Sequence, residues 1–487
     1  MTRLWHPGRK RRHAPRARAI ISIFITLTVF TALAVAHAAD PDLEFVYEVV
    51  DPSPPSGTGC CLDVCALGDI DGDGVADVVI GSENSIGVVW YHSPDWTRYV
   101  IGAGSFTTDG ETADVDGDGD TDVVISCVSR GQIEWWENLG SPFVTSGWSL
   151  HKIGDNFSHD VAVGDISGDG RLDVIVFRKD TEVLWFQAPA DPRGVWTSRS
   201  IASSSGEGLD VGDLDGDGDT DVAASRWWYD NSDGAGTSWT KRTVTSNWGD
   251  DCRDIVADID GDGDRDIVLS HSESSGRVSW FENPVWAEHA VETGTLVGAH
   301  SLEAVDFDRD GDFDVVTGEM HTSSQKRVFV YRNDGAGAAW TRLALAITGT
   351  HNVRVGDVTG DNKPDIVGKN YDGPKSVELW ENSVALAVSV GPTGAPRFEL
   401  GGNYPNPFSE DTSIPYHLVA AADVTLIVYG VTGWKYATLI DGRKNAGGHV
   451  ADWNGRGRDG SRLRSGVYFY RMTSGGVAQT KKMVILR

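Results

Sequence analysis

Short apolar runs recur along residues 43–385, bounded by Asp and Gly, and nowhere does the pattern take the 3.6-residue period of an amphipathic helix. Runs such as Asp77-Val78-Val79-Ile80, Asp122-Val123-Val124-Ile125 and Asp266-Ile267-Val268-Leu269 are β-branched and read as buried strands. About twenty residues after each Asp-rich loop begins comes an aromatic segment that often ends in Asn. Examples are Trp135-Trp136-Glu137-Asn138, Trp280-Phe281-Glu282-Asn283 and Trp380-Glu381-Asn382. A Trp five residues before an aliphatic then marks a further strand, as in Trp96/Ile101, Trp148/Ile153, Trp196/Ile201, Trp239/Val244, Trp286/Val291 and Trp340/Leu345. Each unit therefore offers four short strands and no helix.

The units repeat. Seven segments follow Asp-x-Asp-Gly-Asp-Gly-x-x-Asp, beginning at Asp69, Asp114, Asp165, Asp213, Asp258, Asp306 and Asp357, with successive starts 45 to 51 residues apart. Four strands per unit, seven times over, predict an all-β chain built as a seven-bladed β-propeller. The last unit lacks its Trp-to-aliphatic strand, and Phe45-Val46-Tyr47-Glu48-Val49-Val50 has the spacing of the missing piece. The N-terminal strand is thus expected to complete the seventh blade and remove the open edges.

The pattern changes at both ends. Residues 1–38 read as a signal peptide: seven basic residues and no acid, an apolar run from Ala19 to Ala36, then the small-x-small site Ala36-His37-Ala38. No later stretch is apolar enough to predict a membrane span. The propeller is assigned to 39–386. Residues 387–397 read as a Gly- and Pro-broken linker. Residues 398–487 alternate again, as in Val424-Thr425-Leu426-Ile427-Val428-Tyr429, and predict a small immunoglobulin-like β-sandwich.

A net charge of −29, with the acid concentrated between residues 39 and 390, argues against nucleic acid as a partner. Eighteen Trp and 40% hydrophobic residues supply a core and exclude a disordered chain. Five Cys in an exported protein allow two disulfides with one left over, and the spacing of Cys60, Cys61, Cys65, Cys127 and Cys252 leaves the pairing open.

The Asp loops are not EF-hands, because position 12 is Ile80, Ile125, Val176, Ala224, Leu269, Thr317 or Gly368 instead of a bidentate Glu. Position 9 is always Asp. Oxygens at positions 1, 3, 5 and 9, with the carbonyl of position 7 and water, supply the six or seven ligands a hard cation takes, and Ca²⁺ suits them better than the stricter Mg²⁺. The expected ligands are Asp69, Asp71, Asp73, Val75 and Asp77 in the first loop, and Asp114, Asp116, Asp118, Asp120 and Asp122 in the second. Asp165, Ser167, Asp169, Arg171 and Asp173 form the third, and Asp213, Asp215, Asp217, Asp219 and Asp221 the fourth. The fifth is Asp258, Asp260, Asp262, Asp264 and Asp266, and the sixth Asp306, Asp308, Asp310, Asp312 and Asp314. Asp357, Thr359, Asp361, Lys363 and Asp365 make the seventh. Up to seven ions are expected, held most weakly by the loops at Asp165 and Asp357, where Ser167 and Thr359 replace a carboxylate. Position 6 calls for a left-handed backbone, which suits its Gly residues and, in the seventh loop, Asn362.

These loops resemble the FG-GAP/VCBS repeat family, the calcium-loop propeller units of integrin α subunits and many secreted bacterial proteins. The resemblance covers roughly residues 43–385. It implies the propeller fold and calcium, with ligands often meeting the face opposite the calcium loops, and it leaves activity open, since the family spans adhesins and carbohydrate-active enzymes. Residues 398–487 resemble the C-terminal sorting domain of type IX secretion cargo through Asn403-Tyr404-Pro405-Asn406-Pro407-Phe408, Gly466-Val467-Tyr468-Phe469-Tyr470-Arg471 and Lys481-Lys482-Met483-Val484-Ile485-Leu486-Arg487. That implies passage through the type IX machinery and release from, or anchoring on, the surface of a Gram-negative cell.

Two sets of positions are expected at the end of the ring away from the Asp loops. Six residues before each first Asp stand Asp63, Thr108, His159, Glu207, Cys252, His300 and His351. Thirteen after it stand Ser82, Cys127, Arg178, Arg226, His271, Glu319 and Asn370. His159, Arg178, Arg226, His271, His300, Glu319 and His351 are the candidate ligand-binding residues. His271, His300 and His351 are expected side by side, with Arg226 adjoining, as the candidate catalytic group should there be catalysis. No nucleophile elbow, zincin helix or phosphate loop is present in the sequence. The reading is a secreted or cell-surface calcium-binding propeller that recognises an extracellular glycan or protein. A lyase-like polysaccharide-cleaving enzyme using the His/Arg mouth is the alternative, and a purely structural surface protein the third.

Overall fold

In a computed structural model the chain is described at residues 43–52, 54, 62–82, 87–155, 158–178, 181–346, 348–369, 376–383, 398–430, 435–457, 462–474 and 477–486. The expected signal peptide at 1–38 and expected linker at 387–397, with Cys60, Cys61 and Asn370, lie outside these residues. The described part is all-β. Strands from Leu62–Gly68 to Val377–Asn382 form four-stranded antiparallel sheets of the kind a propeller stacks as blades.

Chain order is strand order in the sheets beginning at Leu62–Gly68, Phe106–Ala113, Asp160–Gly164, Asp210–Gly212, Cys252–Ala257 and Ala299–Val305. The next sheet, beginning at Asn352–Gly356, takes its fourth strand from Phe45–Asp51, which pairs with Val377–Asn382 from Phe45↔Asn382 to Asp51↔Val377. First strands pack against first strands of adjacent sheets, and Asn352–Gly356 packs back against Leu62–Gly68. These strands surround the centre, so a side chain placed early in each sheet faces its counterparts from other sheets.

Second strands explain the continuous apolar runs. Val78, Val79 and Ile80, like Val123, Val124 and Ile125, are buried, because neighbouring sheets cover both faces. One cluster joins Val79, Trp90 and Ile101 of one sheet to Val123, Ile125 and Trp136 of the next. Fourth strands lie outermost, and in Thr240–Thr243 every residue is exposed.

Beyond residue 397, strands Phe398–Leu400, Thr412–Leu418 and Gly447–Trp453 form one sheet. Ala422–Gly430, Lys435–Lys444, Gly466–Ser474 and Val477–Ile485 form another, and the two share a core that includes Ile414, Leu426, Tyr470, Met472 and Met483. The three terminal motifs meet there. The Asn403 N–H donates to Tyr470 Oη at 2.9 Å, and the Val484 N–H donates to Asn406 Oδ1 at 2.8 Å.

Candidate metal loops, groove and central cluster

Each Asp loop joins the first strand of a sheet to the second. Its glycines permit the tight winding: Gly74 and Gly119 have φ of 95° and 100°, and Asn362 takes φ 65° at the same position of the seventh loop. Position 4 is also left-handed, at φ 77° for Gly117 and 65° for Arg309, a requirement the sequence reading passed over.

The carboxylates divide the work. Position 9 is buried and fixes the loop to its sheet: Asp122 accepts from the Val115 N–H at 3.0 Å and the Asn138 N–H at 2.7 Å. Asp77, Asp221, Asp266 and Asp314 repeat that pattern. Burial pushes these carboxyls up, to about 7 in Asp77, Asp122, Asp221 and Asp266 and about 8 in Asp314, against the backbone donors that lower them. Position 1 uses one oxygen to hold the N–H of position 6, as Asp69 Oδ2 does for Gly74 at 2.9 Å and Asp306 Oδ2 for Gly311 at 3.1 Å. In the second, third, fourth and seventh loops the other oxygen accepts further loop N–H groups, as Asp114 Oδ1 does from Gly117 at 2.8 Å, whereas in the first, fifth and sixth it is left over. Asp69 Oδ1, Asp258 Oδ1 and Asp306 Oδ1 are buried without a hydrogen-bond partner, as is Ser167 Oγ in the third loop.

Carboxylate oxygens of Asp69, Asp71 and Asp77 lie within 4.8 Å of one another, as do those of Asp114, Asp116 and Asp122 and of Asp213, Asp215 and Asp221. Orphaned oxygens, like charges at close range and an all-oxygen donor set fit a hard divalent cation. Loops three and seven differ: Arg171 pairs with Asp169, and Lys363 Nζ lies 2.5 Å from Asp361 Oδ2, so a position-7 cation already neutralises position 5.

Between the fourth and fifth loops runs a groove of about 500 Å³, lined by Asp213, Asp215, Asp264, Arg242, Arg265, Trp228, Asn283 and Trp286 among others. The Trp228 and Trp286 rings lie 5.9 Å apart at 51°, and the buried Trp228 Nε1 has no hydrogen-bond partner. Neither tryptophan stands out as a ligand residue in the sequence, where Trp286 reads as a strand marker and Trp228 has no distinguishing spacing.

At the opposite end of the first strands, the two expected sets separate. His159, Glu207, His300 and His351 converge. His159 Nε2 is 3.6 Å from Glu207 Oε2, and His300 Nε2 is 3.6 Å from Glu207 Oε1. His351 stacks on His300 with centroids 3.8 Å apart. Burial, then His351 and Arg253, holds the His300 imidazole well below its ordinary range.

The later set is held elsewhere, because second strands stand one place out from the centre and their ends find local partners. His271 does not join His300 and His351; it stacks on Trp248 at 4.2 Å and 8°. Arg226 Nε donates to Asp250 at 2.6 Å, with its guanidinium over Trp227. Arg178 pairs with Glu182 at 2.7 Å and the buried Glu319 with Arg327 at 2.5 Å. Cys127 and Cys252 are buried free thiols.

Below the histidines, first strands enclose a cavity of about 110 Å³ lined by Asp109, Glu111, Asp210, Asp254 and Glu303 together with Arg253, Arg354 and His300. Two of these carboxylates link sheets, Asp109 accepting from the Val161 N–H at 3.0 Å and Asp210 from the Val256 N–H at 2.7 Å, and Asp160 nearby accepts from the Gly208 N–H at 3.2 Å. The sequence did carry a signal for them. Glu111, Asp210, Glu303 and Arg354 all stand three residues before a first Asp, each on the first strand of its sheet.

A family model described as FG-GAP-like repeat matches residues 69–125, 114–176 and 258–317. No curated protein sequence matches the chain. Among solved structures, BBS1N in complex with ARL6DN, soaked with mercury, is 10% identical with a TM-score of 0.46, covering 70% of this chain and 98% of that one. PorZ, titled an essential bacterial surface component of the type-IX secretion system of Porphyromonas gingivalis, is 11% identical with a TM-score of 0.27, covering 84% of this chain and 69% of that one. Overlaps this loose carry no argument about function. Loop geometry and family match agree on this much: residues 69–176 and 258–317 of this all-β chain are similar to FG-GAP-like repeats.

Proposed function

We propose that the chain is an exported, calcium-stabilised seven-bladed β-propeller that recognises an extracellular glycan, and that it does so at the groove between the fourth and fifth Asp loops. The observation carrying the glycan reading is the pair Trp228 and Trp286 beside Asp215, Asp264, Arg242 and Arg265 in a groove of about 500 Å³. Sugars offer apolar ring faces to aromatic side chains and hydroxyls to charged ones, and a groove of this size suits a small ligand. Calcium in the loops at Asp213 and Asp258 would fix the groove's two walls.

In this reading residues 39–386 form the propeller, 387–397 a linker, and 398–487 an immunoglobulin-like sorting domain for type IX export to the surface of a Gram-negative cell. The lyase alternative finds no support in the expected mouth, where Arg226 is tied to Asp250 and His271 to Trp248. A glycan array probed with the full chain, in millimolar Ca²⁺ and in chelator, tests the proposal. Calcium-dependent binding lost in Trp286→Ala supports it. Binding unaffected by Trp286→Ala and Trp228→Ala, or no glycan bound at all, overturns it.

A further inference from the structure

The central cluster offers a donor set of a different kind from the Asp loops. His159 Nδ1 lies 3.0 Å from Asp160 Oδ1, so that ring N–H is directed at the carboxylate and Nε2 is the atom turned to Glu207. His300 Nδ1 lies 2.9 Å from the carbonyl oxygen of His351, which fixes the other tautomeric proton in the same way. His300 is 1% exposed, and its Nε2 has no hydrogen-bond partner. The two Nε2 atoms therefore face the buried Glu207 carboxylate at 3.6 Å each, with ring centroids 6.1 Å apart. All three ligand atoms lie within 4.8 Å of one another.

Glu207 is placed with unusual strictness. Gly206 and Gly208 flank it at φ 98° and 93°. A Cβ on Gly206 would meet the Asp250 carbonyl oxygen at 1.8 Å, and one on Gly208 would meet Asp254 Oδ1 at 2.1 Å. Only glycine fits on either side, so the carboxylate is delivered to the centre by backbone shape.

With its Nδ1 proton given to the His351 carbonyl, His300 turns an unpartnered Nε2 lone pair on the Glu207 carboxylate, an arrangement that is repulsive unless a cation lies between. Imidazole ligands whose far N–H is held by a carboxylate or a backbone carbonyl are the usual supporting arrangement of a transition-metal site. We propose that His159, His300 and Glu207 bind one divalent transition ion of the zinc class at the centre of the ring, with water completing the coordination. Two nitrogens and one carboxylate suit such an ion and not calcium. The partly exposed His159 leaves a way in.

The test is Zn²⁺ titration of the full chain by calorimetry, with millimolar Ca²⁺ present to occupy the Asp loops and melting curves to verify folding. The expected result is one Zn²⁺ per chain. Zinc binding should be lost in His159→Ala and His300→Ala, weakened about 10–100-fold in Asp160→Asn, and kept in His271→Ala. Should His300→Ala not fold, His159→Ala carries the same test at a partly exposed position. No Zn²⁺ bound by the parent, or full binding retained in His159→Ala, overturns the proposal. A glycan result of either sign leaves it untouched.

Discussion

The side-chain amide of Asn138 donates to the main-chain carbonyl of Ile70 at 2.9 Å, joining the end of one sheet's third strand to the Asp loop of the preceding sheet. The bond recurs as Asn231 to Ile166, Asn283 to Leu214, Asn333 to Ile259 and Asn382 to Phe307. In each case the acceptor is position 2 of a loop, beside the first ligand position. The Asn that ends the aromatic segment is therefore a clasp between neighbouring units.

Asn138→Ala should leave the Ile70 carbonyl without that donor in a buried place and cost about 1–3 kcal/mol. Thermal melting in calcium should show the loss, and calcium affinity should fall too, because the clasp steadies the loop. An unchanged melting temperature would show that the bond contributes nothing.

Deleting Glu44 to Val50 removes the strand that pairs with Val377–Asn382, the bond from Tyr47 Oη to Glu378 at 3.1 Å and the packing of Phe45 on Phe307. The exposed edge should lower the melting temperature markedly and promote aggregation. Parental melting and a monomeric elution profile would contradict closure by this strand.

The cavity predicts a pH dependence. Burial pushes the Glu111 carboxyl up to about 8 and that of Glu303 up to about 7, against the lowering influence of Arg354. In the unfolded chain each titrates near the ordinary glutamate value of about 4.3. The folded state thus holds these protons longer, and their contribution to stability declines as pH rises from about 4.3 towards 8. Glu111→Gln should gain on the parent in melting temperature between pH 5 and pH 8 in saturating calcium. An equal difference at both pH values would rule this out.

Much of the fold was legible because the turn chemistry is strict. Asp at positions 1 and 9, and Gly or Asn at position 6, follow from the backbone path itself, and Asn362 at φ 65° shows the rule at work where glycine is missing. The central site was half legible. His159, Glu207 and His300 share one offset from the loops and meet, whereas Arg226 and His271 share another offset and part, held by Asp250 and Trp248. An offset along the chain gives height in the sheet but not distance from the centre, which depends on which strand carries the residue. The groove at Trp228 and Trp286 lies between two sheets, and no spacing within one repeat encodes it.

Calcium occupancy of the Asp loops is tested most directly by melting the full chain across a Ca²⁺ titration against chelator. The buried, unpartnered oxygens of Asp69, Asp258 and Asp306 predict stabilisation that rises with calcium, about 2.7 kcal/mol per site at 100-fold excess over Kd. Asp306→Asn should remove more of it than Asp357→Asn, because Lys363 already neutralises Asp361 in the seventh loop. Identical melting in calcium and in chelator would contradict the metal reading.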